Sequence, residues 1–122
     1  MLQMFGFERV AVVLSDLYFV DPSPEPGQEG AERGVRLELR ELVAGEIEGS
    51  IYAARPITVA DPLWRIDMLE AVDGPPGSFD RTHHHPRFQG WEPGRRCFVP
   101  ELSAAPLEWL EAGLRDLGPV LE

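Results

Sequence analysis

The sequence predicts an α+β domain, in which a small antiparallel sheet of five or six strands carries one C-terminal amphipathic helix packed on it. Two segments, Val35–Arg40 and Leu63–Glu70, alternate apolar and polar side chains with the period of a half-buried strand. Leucines recur at spacings of three and four from Leu107 to Leu121, which is typical of a helix with one apolar face. The 122 residues are predicted to form a single domain, residues 1–122.

The first predicted strand runs from about Arg9 to Val20. Its start, Val10–Leu14, is apolar at successive positions, so both of its faces are expected to be covered. Residues 21–34 are rich in proline, glycine and glutamate, and we expect an exposed loop there.

Two more strands are predicted in the middle of the chain. One spans Ser50–Ala54 and continues through Val59, with Pro56 at an edge or a bend. In the other, Leu63–Glu70, alternation places side chains on two faces, and the polar face is the one that could carry chemistry. The apolar face holds Trp64, Ile66 and Met68, and the second face holds Arg65, Asp67 and Leu69.

Arg95–Val99 is predicted as a short last strand that Pro100 ends, and residues 105–117 as the C-terminal helix. Ser103 is the expected N-cap. One helix cannot cover both faces of the sheet, so the sheet either curls into a partial barrel or is covered by another chain. Trp109, beside Gly113, either rims the core or anchors an interface between chains.

Composition limits the possible functions. The net charge of −10 opposes binding to nucleic acid, and all eleven basic residues are arginine, which excludes lysine-dependent catalysis and a Walker-type phosphate loop. The N-terminus lacks the pattern of a signal peptide, and no apolar run is long enough to span a membrane. A single cysteine, Cys97, suits a reducing compartment. We therefore expect a cytoplasmic protein, and the arginine bias suggests a bacterial origin.

The strongest chemical signal is the run of all three histidines, His83–His85, followed by Pro86. In an extended segment His83 and His85 project to one face with Cβ atoms roughly 6 to 7 Å apart, and His84 points the other way. Two imidazoles so placed can share a divalent metal such as zinc, which needs a further ligand. The donors available for it are Asp67, Asp80, Glu70 and Cys97, of which the two aspartates are preferred.

Two other interpretations of the run stay open. The histidines could bond to the neighbouring backbone or stack on Phe88 and Trp91. They could also join the one locally basic stretch of the chain in an anion site, because arginine binds phosphate and carboxylate in a bidentate way. The arginines of that stretch are Arg81, Arg87, Arg95 and Arg96.

The sequence thus favours a non-enzymatic binding or regulatory module, which forms a dimer or binds a protein partner through Trp109 and an uncovered sheet face. The alternative is a metal-dependent hydrolase or nuclease, in which His83 and His85 hold the ion.

Overall fold

The computed structural model describes residues 1–46, 49 and 55–118, and its main feature is an open antiparallel sheet of five strands. Each strand pairs with the next along the chain, in the order β1-β2-β3-β4-β5. Residues 50–54 of one predicted strand, and Leu121, lie outside the described residues. The strands are β1 (Leu2–Gly6), β2 (Val10–Val20), β3 (Ala31–Ala44), β4 (Ile57–Ala71) and β5 (His83–His85).

The alternation predicted for β3 and β4 is confirmed, and it gives the sheet two different faces. Leu39 lies opposite Trp64, and Leu37 lies opposite Ile66, on the face that the helices cover. We call this the helix face. Complete burial of Ile66 contributes roughly 2 to 3 kcal/mol. The opposite face, which we call the charged face, carries the pairs Arg36 with Asp67 and Glu38 with Arg65.

Two short helices cover the helix face, where one helix was predicted over residues 105–117. They are α1 (Pro100–Ala104) and α2 (Pro106–Arg115). The break lies at Ala105, whose φ of −145° and ψ of 75° are not helical, because Pro106 disfavours the α region for the residue before it. The prediction of Ser103 as N-cap is wrong, since this residue lies inside α1. Within the described residues, no helix is long and apolar enough to cross a membrane.

The leucine stripe of α2 is only partly confirmed. Leu110 is buried in the core, and Leu114 and Leu117 pack against it. Leu107 is 71% exposed and does not face the sheet. Leu117 itself follows the end of α2 at Arg115.

The predicted barrel-like closure is wrong, because the sheet is open. Within the described residues β1 pairs with β2 and β5 with β4, and the two edge strands do not pair with each other. The segment after β5 instead runs over the charged face, where the Trp91 ring lies 4.5 Å from the Arg40 guanidinium carbon and the Phe88 ring 5.1 Å from that of Arg65. β1 was not predicted, since all five of its residues are exposed and its sequence lacks alternation.

Two predicted boundaries also differ. β3 begins at Ala31, so the loop after β2 ends before residue 34. Gly34 is required inside β3, because an added Cβ would lie 1.9 Å from the carbonyl oxygen of Met68. Arg95–Val99 does not form a strand and contributes one bridge, between Cys97 and His84.

Candidate metal centre

The histidine run forms β5, which pairs with the middle of β4. Side chains directly opposite each other in neighbouring strands share a face of the sheet. The run is therefore divided between the two faces, as the alternation predicted. The pairs are His83 with Asp67 and His85 with Arg65 on the charged face, and His84 with Ile66 on the helix face.

Asp67, His83 and His85 form a compact buried group on the charged face. One donor atom from each lies within 4.8 Å of the other two. Nε2 of His83 is 3.3 Å from Oδ2 of Asp67, and Nε2 of His85 is 3.8 Å from the same oxygen. A tetrahedral ion with bonds of about 2.1 Å needs ligand atoms roughly 3.4 Å apart. The two distances to Asp67, 3.3 and 3.8 Å, lie on either side of that value.

A backbone hydrogen bond fixes the proton of the His83 ring on one nitrogen and leaves the other nitrogen without a partner. Its Nδ1 lies 2.8 Å from the carbonyl oxygen of Arg81, which can only accept a hydrogen bond, so Nδ1 carries a proton. Nε2 is buried and makes no hydrogen bond among the described residues, because its direction toward Asp67 is poor despite the short distance. A metal-binding histidine commonly has this arrangement, in which the backbone fixes the second nitrogen.

Asp67 is 2% exposed, and the Arg36 guanidinium binds its carboxylate. Arg36 Nε donates to Oδ1 at 2.7 Å, and its Nη2 donates to Oδ2 at 3.2 Å. Burial by itself would raise the pKa of the Asp67 carboxyl, but His83, when its ring carries both protons, and the Arg36 guanidinium outweigh burial and hold this pKa below its usual range. The carboxylate is therefore ionised at neutral pH.

His85 differs from Asp67 in that its side chain is uncharged at neutral pH. Burial, followed by the nearby His83, lowers the pKa of His85 from 6.5 to about 4. Its Nδ1 is buried without a hydrogen-bond partner in the described part of the chain. At neutral pH the group thus offers an ionised carboxylate and a neutral imidazole, which is the protonation state that a divalent cation requires.

The three residues line a pocket of about 740 Å³, which we call the charged-face pocket. This volume is within the range of small-molecule sites. Arg95 lines the pocket and forms no ion pair with any residue that the structure describes. The other basic residues of the lining are Arg36, Arg65 and Arg96, and its other acidic residues are Asp21 and Glu25.

The other predicted metal ligands lie elsewhere. Asp80 accepts hydrogen bonds from the Ala71 amide and the Ser78 hydroxyl in the turn before β5. Glu70 is paired with Arg33, which it faces across the sheet. Cys97 meets His84 through backbone hydrogen bonds and is not part of the group.

The four arginines predicted as an anion site do not converge. Arg81 and Arg96 both bind Glu32, at 3.0 and 2.7 Å, and this glutamate is 1% exposed. Arg87 lines a different pocket, on the helix face, and Arg95 alone is left in the charged-face pocket without a carboxylate.

The interface residues predicted from sequence lie beside the core. Trp109 stacks on Trp64, with ring centroids 6.2 Å apart, and packs against the core cluster. The His84 ring stands edge-on to Trp109 at 4.9 Å, and burial, followed by the nearby His83, lowers the pKa of His84. Gly113 lines the same helix-face pocket. These contacts favour the interpretation of Trp109 as a residue at the rim of the core.

Sequence reasoning missed Arg36 and Glu32 as partners of the site residues. The alternation of β3 places Arg36 on a charged face, but its pairing with Asp67 depends on the register between β3 and β4. The predicted stacking of the histidines on Phe88 and Trp91 is not formed, because His85 lies edge-on to Phe88 at 6.5 Å and Trp91 lies over Arg40.

A scan of protein-family models, a search of curated proteins and a search of solved structures found no match to this chain.

Proposed function

We propose that the protein is a metal-dependent hydrolase that binds one divalent ion, such as zinc, through Asp67, His83 and His85. The observation that carries the proposal is the unpartnered Nε2 of His83, which lies 3.3 Å from the carboxylate oxygen of Asp67. Two bare acceptors at this distance repel each other unless a cation or a second proton lies between them. Two imidazoles and one carboxylate form a donor set found in catalytic zinc and iron sites.

Three ligands come together among the described residues, which would leave coordination positions of an ion open toward the charged-face pocket. A divalent ion held there would act as a Lewis acid and polarise a carbonyl or phosphoryl oxygen of the substrate. Arg36 orients Asp67 through the short bond to Oδ1 and the longer bond to Oδ2, and the second lone pair of Oδ2 would be available to the ion. Arg95 is placed to bind a carboxylate or phosphate group of the substrate.

A small molecule is a better substrate than a nucleic acid. The charge of −10 repels a phosphate backbone, and a pocket of about 740 Å³ suits a compact ligand. Hydrolase is thus favoured over nuclease. The lone thiol, Cys97, further supports a reducing, cytoplasmic setting.

The metal site is tested by elemental analysis of untagged protein and by titration with cobalt(II), whose visible absorption reports coordination by histidine. We expect one ion per chain, lost in His83→Gln and in His85→Gln. His84→Gln is the matched control, because it changes the neighbouring residue on the other face and should keep the ion. Circular dichroism checks that each variant folds. Absence of binding, or equal loss in all three variants, would overturn the proposed site.

The reaction is tested with chromogenic carboxylic and phosphoric esters, assayed with the metal-loaded protein and with the chelated protein. We expect metal-dependent turnover that falls at least tenfold in His85→Gln, since one lost ligand removes much of the Lewis-acid effect. A protein that binds the ion but hydrolyses none of these esters faster after loading would refute the hydrolase assignment while the metal site stands.

Self-association is the second candidate function, and the exposed strand β1 favours it. Leu2, Met4 and Phe5 are 75%, 56% and 49% exposed on a sheet edge that pairs with no further strand of the described part. An apolar edge of this kind is suited to pairing with a second copy of the chain. Sedimentation over a range of concentrations should show a dimer that Met4→Lys weakens and the control Leu107→Lys, on α2, does not. A monomer at every concentration would exclude this role.

A further inference from the structure

A second pocket lies on the helix face, separated from the charged-face pocket by β5. Its volume is about 750 Å³, and we call it the helix-face pocket. His84 lines it, whereas His83 and His85 line the other one. The histidine run therefore borders two pockets at once, and this one plays no part in the proposed metal chemistry.

Aromatic side chains form the wall of the helix-face pocket. Trp64 and Trp109 are stacked at 6.2 Å, and the His84 ring lies edge-on to both, at 6.4 Å from Trp64 and 4.9 Å from Trp109. Phe88 also contributes to the lining. Indole and phenyl surfaces favour planar aromatic ligands, which they can stack on or meet edge to face.

Two polar groups without partners line the pocket and would determine how a ligand is oriented in it. Nδ1 of His84 is buried and has no hydrogen-bond partner among the described residues, so the ring can turn toward a ligand without breaking a bond. Arg87 is exposed at the pocket and makes no ion pair with any described residue. The lining also includes the acidic Asp116, so the free guanidinium of Arg87 is the charged group there that is suited to a carboxylate.

We propose that the helix-face pocket binds a small aromatic carboxylic acid bearing a ring hydroxyl or N–H group. The ring packs against Trp64 and Trp109, the carboxylate binds Arg87, and the ring substituent meets the imidazole of His84. The proposal is independent of the metal site, since none of these residues belongs to the buried group of Asp67, His83 and His85.

The test uses 4-hydroxyphenylacetate as the probe and tryptophan fluorescence as the signal. The substitution Trp91→Phe removes the one tryptophan outside the pocket, so that the emission reports Trp64 and Trp109 alone. We expect saturable quenching with Kd below about 1 mM. The neutral amide of the same compound should bind about tenfold more weakly, because it cannot pair with Arg87.

Two substitutions locate the probe. Arg87→Gln should weaken binding of the acid about tenfold and leave the amide unchanged. Gly113→Val should weaken binding of both, because Gly113 lines the pocket and an added side chain there meets no protein atom that would turn it away from the space of the ligand. Arg115→Gln, on the exposed side of α2, is the control and should bind as the parent does.

Three results would overturn the proposal. One is the absence of saturable quenching, and another is equal binding of the acid and the amide in the parent protein. The third is loss of binding in His83→Gln with retention in Gly113→Val, which would place the probe in the charged-face pocket. Sedimentation of the parent protein with and without the probe also tests whether a second copy occupies the surface. A dimer that Gly113→Val dissociates would replace the small ligand by a protein partner.

Discussion

Replacing Asp67 with asparagine removes the charge at the centre of the candidate metal site and leaves its shape almost unchanged. In the native protein Arg36 donates two hydrogen bonds to this carboxylate, at 2.7 and 3.2 Å, and Asp67 is 2% exposed. Breaking a fully buried ion pair from one side costs about 3 to 5 kcal/mol. The side chain of Arg36 is 29% exposed, so water recovers part of the loss. We therefore expect Asp67→Asn to lower the free energy of unfolding by about 3 kcal/mol.

Urea unfolding, followed by circular dichroism without added metal, measures this loss. With a slope of about 2 kcal/mol per molar urea, the midpoint should fall by about 1.5 M. The double variant Arg36→Met/Asp67→Leu is the informative control, because replacing both partners by apolar groups leaves no charge unpaired. It should recover to within about 1 kcal/mol of the parent. A loss below about 1 kcal/mol in Asp67→Asn would refute our description of the pair as buried and strongly coupled.

Three further predictions concern pH, packing and hydrogen bonding. The pKa of His85 is about 4 in the folded protein against an ordinary 6.5. Its contribution to stability is therefore present above pH 6.5 and is lost as the pH falls through about 4. Urea unfolding of His85→Gln should show a free energy of unfolding that changes less with pH over this range than that of the parent protein. Gly34→Ala should destabilise the protein by about 3 kcal/mol or prevent folding, because the new methyl group meets the carbonyl oxygen of Met68. A thermal unfolding experiment that finds an unchanged melting temperature would contradict the close approach of β3 and β4. Thr82→Val should lower the free energy of urea unfolding by about 2 kcal/mol. The buried Thr82 hydroxyl donates to the carbonyl oxygen of Leu69 at 3.1 Å and accepts from its amide at 3.2 Å. A loss of stability near zero would mean that water replaces the hydroxyl.

Period-2 patterning accounts for the part of the site that the sequence predicted. The alternation of Leu63–Glu70 placed Asp67 on the polar face of β4, and the same rule separated His83 and His85 from His84. Both statements depend only on the geometry of a single strand. The pairing of His83 with Asp67 depends on the register between two strands, which are joined by an eleven-residue connection from Val72 to Thr82, and no local pattern specifies it. For this reason Asp67 and Asp80 could not be distinguished from the sequence.

The predictions that failed have physical causes of the same kind. The helix was predicted to begin at residue 105, but a proline acts on the residue before it, so Ala105 leaves the α region and divides α1 from α2. The barrel was inferred from the apolar run at the start of β2, on the assumption that apolar residues are buried. Only Ala11 of that run is fully buried, and β1 beside it exposes apolar side chains. The composition of an apolar strand does not reveal whether the strand is buried or exposed.

The charged face sets the histidine run apart from the other buried polar groups of the described chain. Its buried glutamates are ion-paired, since Glu38 binds Arg65 at 2.6 Å and Glu32 binds both Arg81 and Arg96. A face of this kind contributes little more to stability than an apolar one would, because the attraction within each pair is offset by the loss of water. Within the described part of the chain, the buried side-chain atoms left without any partner all belong to the three histidines. A ligand on each side of β5 would give partners to the unpaired nitrogens of His83 and His84.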